Sequence, residues 1–183
     1  MPQYMVEPKS RRELRDLANA LRKALRLENT IYVPIVELLD VLCLTLEGFN
    51  YEIVPDDTFP PNIHADTNIR TGLIRIKQSV YDGAVAGDGC NRMTIAHEIG
   101  HFLMLCSFGF QLRRNFDNKE IPAYMDPEWQ AKCFAGEFMI SRDLTIGMSS
   151  SEIIAACGVS KRAAQYQYQY RYRCRKRTTR RKR

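Results

Sequence analysis

The stretch His97-Glu98-Ile99-Gly100-His101 constrains this chain more than any other, because it reads H-E-x-x-H inside an apolar run from Met93 to Cys106. On a helix of 3.6 residues per turn, positions i and i+4 lie about 40° apart on one face, so both imidazoles reach one tetrahedral ion through a single ring nitrogen each. Glu98, about 100° round from His97, reaches a water at that ion without being a ligand. Two neutral histidines with an adjacent Glu as general base form the pattern of a zinc hydrolase. The competing reading is a buried helix with two hydrogen-bonded histidines. Thr94, Ile95, Ala96, Ile99, Phe102, Leu103, Met104 and Leu105 make the helix apolar almost all round. Such a helix is central and buried, and polar groups there are costly unless paired or metal-bound. Gly100, a poor helix former, points to a close approach by another segment or by a substrate.

The chain has three histidines, and the third, His64, lies far upstream. An elongated motif with glycine at position 104 and histidine at 107 is absent, since Met104 and Ser107 stand there. The other solution is a Glu from a following helix in the pattern E-x-x-A, which Glu128-Trp129-Gln130-Ala131 supplies. Asp126-Pro127 marks the start of that helix, with Asp as N-cap and Pro in the first turn. Ala131, Phe134, Ala135, Phe138 and Met139 form its apolar stripe, with Glu128 near the stripe and Glu137 nearly opposite. An acidic residue in a first turn also serves the helix dipole, which is the ordinary reading of Glu128.

These residues carry a resemblance. His97-Glu98-Ile99-Gly100-His101 followed by the segment from Glu128 to Ile140 resembles the ImmA/IrrE family of zinc metallopeptidases, which shows H-E-x-G-H and then E-x-x-A-N-x-F-A-x-x-L-L-M-P. The likeness covers roughly residues 30 to 170, with Lys132 where Asn is usual and Ile140-Ser141 in place of Met-Pro. It implies Zn2+ on His97, His101 and Glu128, with Glu98 as the catalytic base. It further implies a protein substrate of the kind that family cleaves, a DNA-bound transcriptional repressor.

The fold expected is α+β and zincin-like, mostly helical, with a small mixed or antiparallel sheet packed on the buried H-E-x-x-H helix. Residues 1–147 would form the metallopeptidase domain, 148–170 a helix-turn-helix-like segment and 171–183 a basic tail. Ser10 caps a helix to about Leu27, whose Arg-rich outer face reads as solvated surface. Pro34 opens a second helix through about Leu42. Tyr51 to Val54, Asn62 to Asp66 (a short one) and Thr71 to Lys77 read as strands. The exposed edge of that sheet suits an extended peptide bound by strand addition. Ser79 to Gly89, with three glycines and two aspartates, reads as mostly turn, with Asp88 or Asn91 capping the central helix. His64, Tyr124, Arg113 and Arg114 are candidates to assist at the site or steady an oxyanion, and an ordinary role competes for each.

Ser149, Ser150 or Ser151 caps a short helix through Cys157, and Gly158-Val159-Ser160 turns into another from Lys161. Lys161 and Arg162 at its start are candidate nucleic-acid contacts, although packing of both helices on the core is the simpler reading. Tyr166, Tyr168, Tyr170 and Tyr172 recur at every second residue, as on a strand with one aromatic face or at the end of a helix followed by disorder. The net charge of +6 becomes −3 once the nine Lys/Arg of residues 171–183 are set aside. Arg171, Arg173 and Arg175, interleaved with aromatics, suit nucleic-acid phosphates and bases; an acidic protein or plain solvent is the alternative.

A charged fraction of 26% and a hydrophobic fraction of 45% are ordinary for a globular protein. No stretch approaches the roughly 18 apolar residues of a membrane span. Six scattered cysteines without C-x-x-C, and a start lacking signal-peptide character, point to a reduced, cytoplasmic setting. A non-catalytic or DNA-binding regulator remains the other class of function. Nothing in the sequence sets the oligomeric state.

Overall fold

The computed structural model describes residues 3–107, 113–115 and 120–180, and side chains over 4–106 and 120–171. It is mixed α+β and mostly helical. Strand β1 (Gln3–Met5) leads into helix α1 (Arg11–Ala24), and α2 (Ile35–Thr45) precedes β2 (Asn50–Val54), β3 (Ala65–Asn68) and β4 (Leu73–Lys77). Helices α3 (Gln78–Val85) and α4 (Gly89–His101) follow. Then come β5 (Arg113–Asn115), α5 (Pro127–Met139), α6 (Ser150–Cys157) and α7 (Lys161–Arg180).

Most helix starts match the caps read from sequence. Ser10 forms a capping box with Glu13, as does Ser149 with Glu152. Asp88 caps α4 and Asp126 caps α5. Each supplies an acceptor to first-turn amides that have no intrahelical partner. Helix α4 starts earlier than its apolar run and continues through Phe102–Ser107 as a π-helix.

The sheet is mixed, in the order β2-β4-β3, with β2 parallel to β4 and β3 antiparallel to it. Ile74 and Ile76 of β4 are fully buried against the helices, as the alternation predicts. The third strand falls at Ala65–Asn68, later than its expected place, and forms one edge of the sheet. Strand β1 pairs antiparallel with β5 in a separate ribbon.

Segment Gln78–Val85 is a helix where sequence suggested turns. Gly83 faces α4, where a Cβ on it would meet the Asn91 side-chain amide. Of the two readings of the tail, the helical one fits, and α7 runs as one helix from Lys161 to Arg180. Along it Ala164 and Gln167 are buried, spaced by about one helical turn.

The arginines of α1 depart furthest from expectation. Arg11 and Arg22 are buried. Arg22 donates to the carbonyl of Phe138 at 2.7 Å and to that of Thr30. Arg11 and Arg15 pair with Glu137 of α5 at 2.6 and 2.7 Å. Arg11 also donates to Gln167 of α7 and lies over the rings of Tyr166 and Tyr170. One guanidinium thus ties α1, α5 and α7 together.

The helix-turn-helix-like segment shares the main core, since Ile153, Cys157, Val159 and Ala164 cluster with Ile95, Ile99 and Phe134. At its turn Gly158 has φ +59, a left-handed conformation that glycine adopts without strain. Buried Arg92 of α4 donates to the Gly158 carbonyl at 2.8 Å and to the Val33 carbonyl at 2.7 Å. Among the described residues no helix is long and apolar enough to cross a membrane.

Candidate metal centre

Two helices build the site. On α4, His97 and His101 share a face, and their rings meet edge-on with centroids 4.5 Å apart. On α5, Glu128 sits in the first turn, its amide held by the Asp126 cap at 2.9 Å. They meet closely at Gly100, where a Cβ would stand 3.1 Å from the Phe134 ring and 3.3 Å from the Ala131 carbonyl oxygen. The second segment that this glycine admits is the helix carrying Glu128.

The ligand-type atoms converge. His97 Nε2 and His101 Nε2 are 3.1 Å apart. They lie 3.3 and 3.1 Å from Glu128 Oε2 and Oε1, respectively. A tetrahedral ion with bonds of about 2.0–2.1 Å holds its ligands about 3.3 Å from one another, so these spacings fit a shared cation. The trio His97, His101 and Glu128 could hold a metal ion. Hydrogen bonds with His101 and then His97 hold the Glu128 carboxyl far below the usual carboxylate range, against the opposing pull of burial. A group kept ionised in this way is suited to ligation. Lys132, one turn along α5, reaches Glu128 at 3.5 Å.

Glu98 is buried beside the trio at 6% exposure and lines the same cleft. Its Oε2 accepts a hydrogen bond from Thr67 Oγ1 at 2.7 Å, and Thr67 also reaches the Glu98 carbonyl at 3.2 Å. Thr67 belongs to edge strand β3, which therefore lies against α4 and orients the glutamate. Sequence reasoning missed this residue. No local signal marks it, since its place depends on the β3–β4 register opposite Ile74.

A cleft of about 1340 Å³ runs over these groups. Its walls come from β3, from α4 and α5, and from the first half of α7. His64 is exposed and lines this cleft, while its backbone carbonyl accepts from the Lys77 amide at 3.1 Å. Tyr124 does not line it. That residue sits in a separate groove with Pro8, Lys9 and Trp129, because the Pro122 turn carries it to the α1 side of α5. Arg113 and Arg114 pair with Met5 and Tyr4 through backbone; their side chains lie outside the described residues.

The candidate nucleic-acid residues separate likewise. Lys161 and Arg162 are exposed and line the cleft. Arg171 turns inward, donating to the Thr145 hydroxyl at 2.7 Å and to the Thr145 carbonyl at 3.1 Å. It acts as a clasp between α7 and the Thr145 loop, and is not a free cation. Arg173 and Arg175 continue α7, and their side chains lie outside the described residues.

Widening the α4–α5 contact should loosen the trio. Gly100→Val places branched carbons against Phe134 and Ala131, and overpacking of that kind costs about 1–3 kcal/mol. Denaturant melts should show that loss, together with weaker metal binding by titration, because Glu128 moves with α5.

No family model matches the chain, and no curated protein sequence matches it. Among solved structures, a transcriptional regulator from Mycobacterium tuberculosis is similar to it in fold, with a TM-score of 0.57 and 14% identity. The match covers 84% of this chain and 45% of that one, so the chain spans less than half of that structure's length. At this identity the likeness concerns the fold alone.

Proposed function

We propose that the chain is a zinc-dependent metallopeptidase with a zincin-like fold, similar to the ImmA/IrrE family, whose substrate is a cytoplasmic DNA-binding repressor. The observation that carries this is the convergence of His97 Nε2, His101 Nε2 and the Glu128 carboxylate within 4.8 Å, with Glu98 beside them in a cleft. When bound at the trio, zinc supplies a Lewis acid that lowers the pKa of water toward about 7 and polarises a carbonyl. Glu98 takes the proton of the attacking water and delivers it to the departing amide nitrogen. Thr67 Oγ1 holds Glu98 Oε2, so Oε1 is the oxygen left to carry that proton. The free edge of β3 along the cleft lets an extended substrate add as a further strand.

The test is to load the chain with zinc and incubate it with a repressor encoded beside its gene. Fragments that vanish with a chelator and return with zinc support the reading; a repressor that stays whole defeats it. Thr67→Val, which keeps the shape but removes the donor, should lower kcat/KM by about fivefold, the worth of roughly 1 kcal/mol of hydrogen bonding, at unchanged zinc content.

A second reading, a regulator acting without catalysis, draws on the likeness to a chain described as a transcriptional regulator. It would use the helix-turn-helix-like segment and the basic tail. A salt-sensitive DNA mobility shift that survives chelation, with no cleavage, would favour it.

A further inference from the structure

We infer that the α7 wall of the cleft, through Lys161 and Arg162, selects acidic side chains in the polypeptide that the cleft receives. The inference rests on the peptidase reading and specifies its substrate.

The charge inventory of the cleft carries the argument. Among the described residues its carboxylates are all engaged: Asp66 with Arg75 at 2.5 Å, Glu98 with Thr67, and Glu128 with both histidines. Lys132 is drawn to Glu128. Lys161 and Arg162 line the same cleft, are exposed, and have no hydrogen-bond or ion-pair partner among the described residues. Among the described residues, an occupant of the cleft therefore meets two uncommitted cations on α7 and no uncommitted carboxylate to match them.

That wall is fixed in place. A Cβ on Gly136 of α5 would lie 2.7 Å from the Gln167 side chain, so α5 and α7 are in close contact. Gln167 is buried and bonded to Arg11, whose guanidinium also packs on two tyrosines of α7. The Ser160 hydroxyl accepts from the Ala163 amide at 3.2 Å and caps the helix. Two long, exposed side chains on a packed helix give a charge preference with loose geometry. A segment with one or more Glu or Asp is the chemistry that fits them.

The experiment uses full-length, zinc-loaded wild type and the charge-reversed variant Lys161→Glu/Arg162→Glu. Glutamates in the first turn of α7 favour the helix dipole, so the variant keeps its fold, which circular dichroism checks. Fluorescent peptides that differ only in carrying Glu, Gln or Lys at the same positions are titrated by anisotropy. The tail is present in both proteins, so the difference between them isolates the wall.

Wild type should bind the Glu peptide about tenfold tighter than the Gln peptide, with the order lost or inverted in the variant and the effect weakened by salt. Equal binding of the three peptides by wild type overturns the inference. So does a Glu preference that persists in the variant, and so does displacement of the Glu peptide by DNA from wild type but not from the variant, which would assign the wall to nucleic acid. Binding is read apart from cleavage, so a chain that binds with this preference yet cuts nothing counts against the peptidase reading and leaves the acidic preference standing.

Discussion

Glu98→Gln should lower the rate of repressor cleavage by roughly a hundred- to ten-thousandfold while leaving the metal content at the wild-type level, the range expected for loss of a general base. The amide is nearly isosteric with the carboxylate and still meets Thr67 Oγ1, which contacts Oε2 at 2.7 Å in the native chain. It cannot take a proton from water. Glu98 is not among the three converging ligand-type residues, so metal should stay. Single-turnover cleavage with metal analysis on the same sample checks both halves. Wild-type cleavage by the variant would remove Glu98 from the chemistry, and loss of metal would make it a ligand.

Glu137→Ala should destabilise the fold by about 3–5 kcal/mol, because it strands two arginines that share a buried carboxylate. Glu137 is 1% exposed, against 5% for the Arg11 side chain and 16% for Arg15. Burial pushes the Glu137 carboxyl up, but the hydrogen bonds and charges of Arg15 and Arg11 outweigh it and hold the group below its usual range. A carboxyl lowered in the folded state contributes stability that is fully present above its unfolded pKa, about 4.3. That contribution is lost as pH falls below this value toward the folded pKa. Urea melts should therefore show wild type losing stability on acidification through this window, and Glu137→Ala losing less. A variant as stable as wild type at neutral pH would show the cluster to be energetically idle.

Glu128 and Glu137 explain why part of this molecule could be read from sequence and part could not. They are nine residues apart on α5, close to half a turn in angle, so helical periodicity already sent them to opposite faces. Which face held what depended on partners elsewhere. The H-E-x-x-H pair and the downstream Glu were visible because their spacing is set by one helix at a time, and Gly100 pointed to a close neighbour. Arg11 looked solvated because amphipathic reasoning sends arginine outward, and its partner Glu137 lies 126 positions away. Thr67 was hidden because its role comes from sheet register. Gly83 suggested a turn because a glycine within a helix and one at a bend look alike in sequence. Tyrosines at every second residue suited either a strand with one aromatic face or the end of a helix, and the helix is what forms. On that helix, the rings of Tyr166 and Tyr170 both meet the Arg11 guanidinium, while Tyr166 and Tyr168 stay largely exposed.

The fit of His97, His101 and Glu128 to one cation underlies the peptidase reading. Its most direct test is the zinc content of the purified full-length chain and of Glu128→Ala after identical zinc loading and removal of excess metal. Wild type should carry about one zinc per chain and the variant far less, since it keeps only two of the three ligands a catalytic site requires. A wild type that retains no zinc, or a variant that retains as much as wild type, would contradict the metal centre and the peptidase reading built on it.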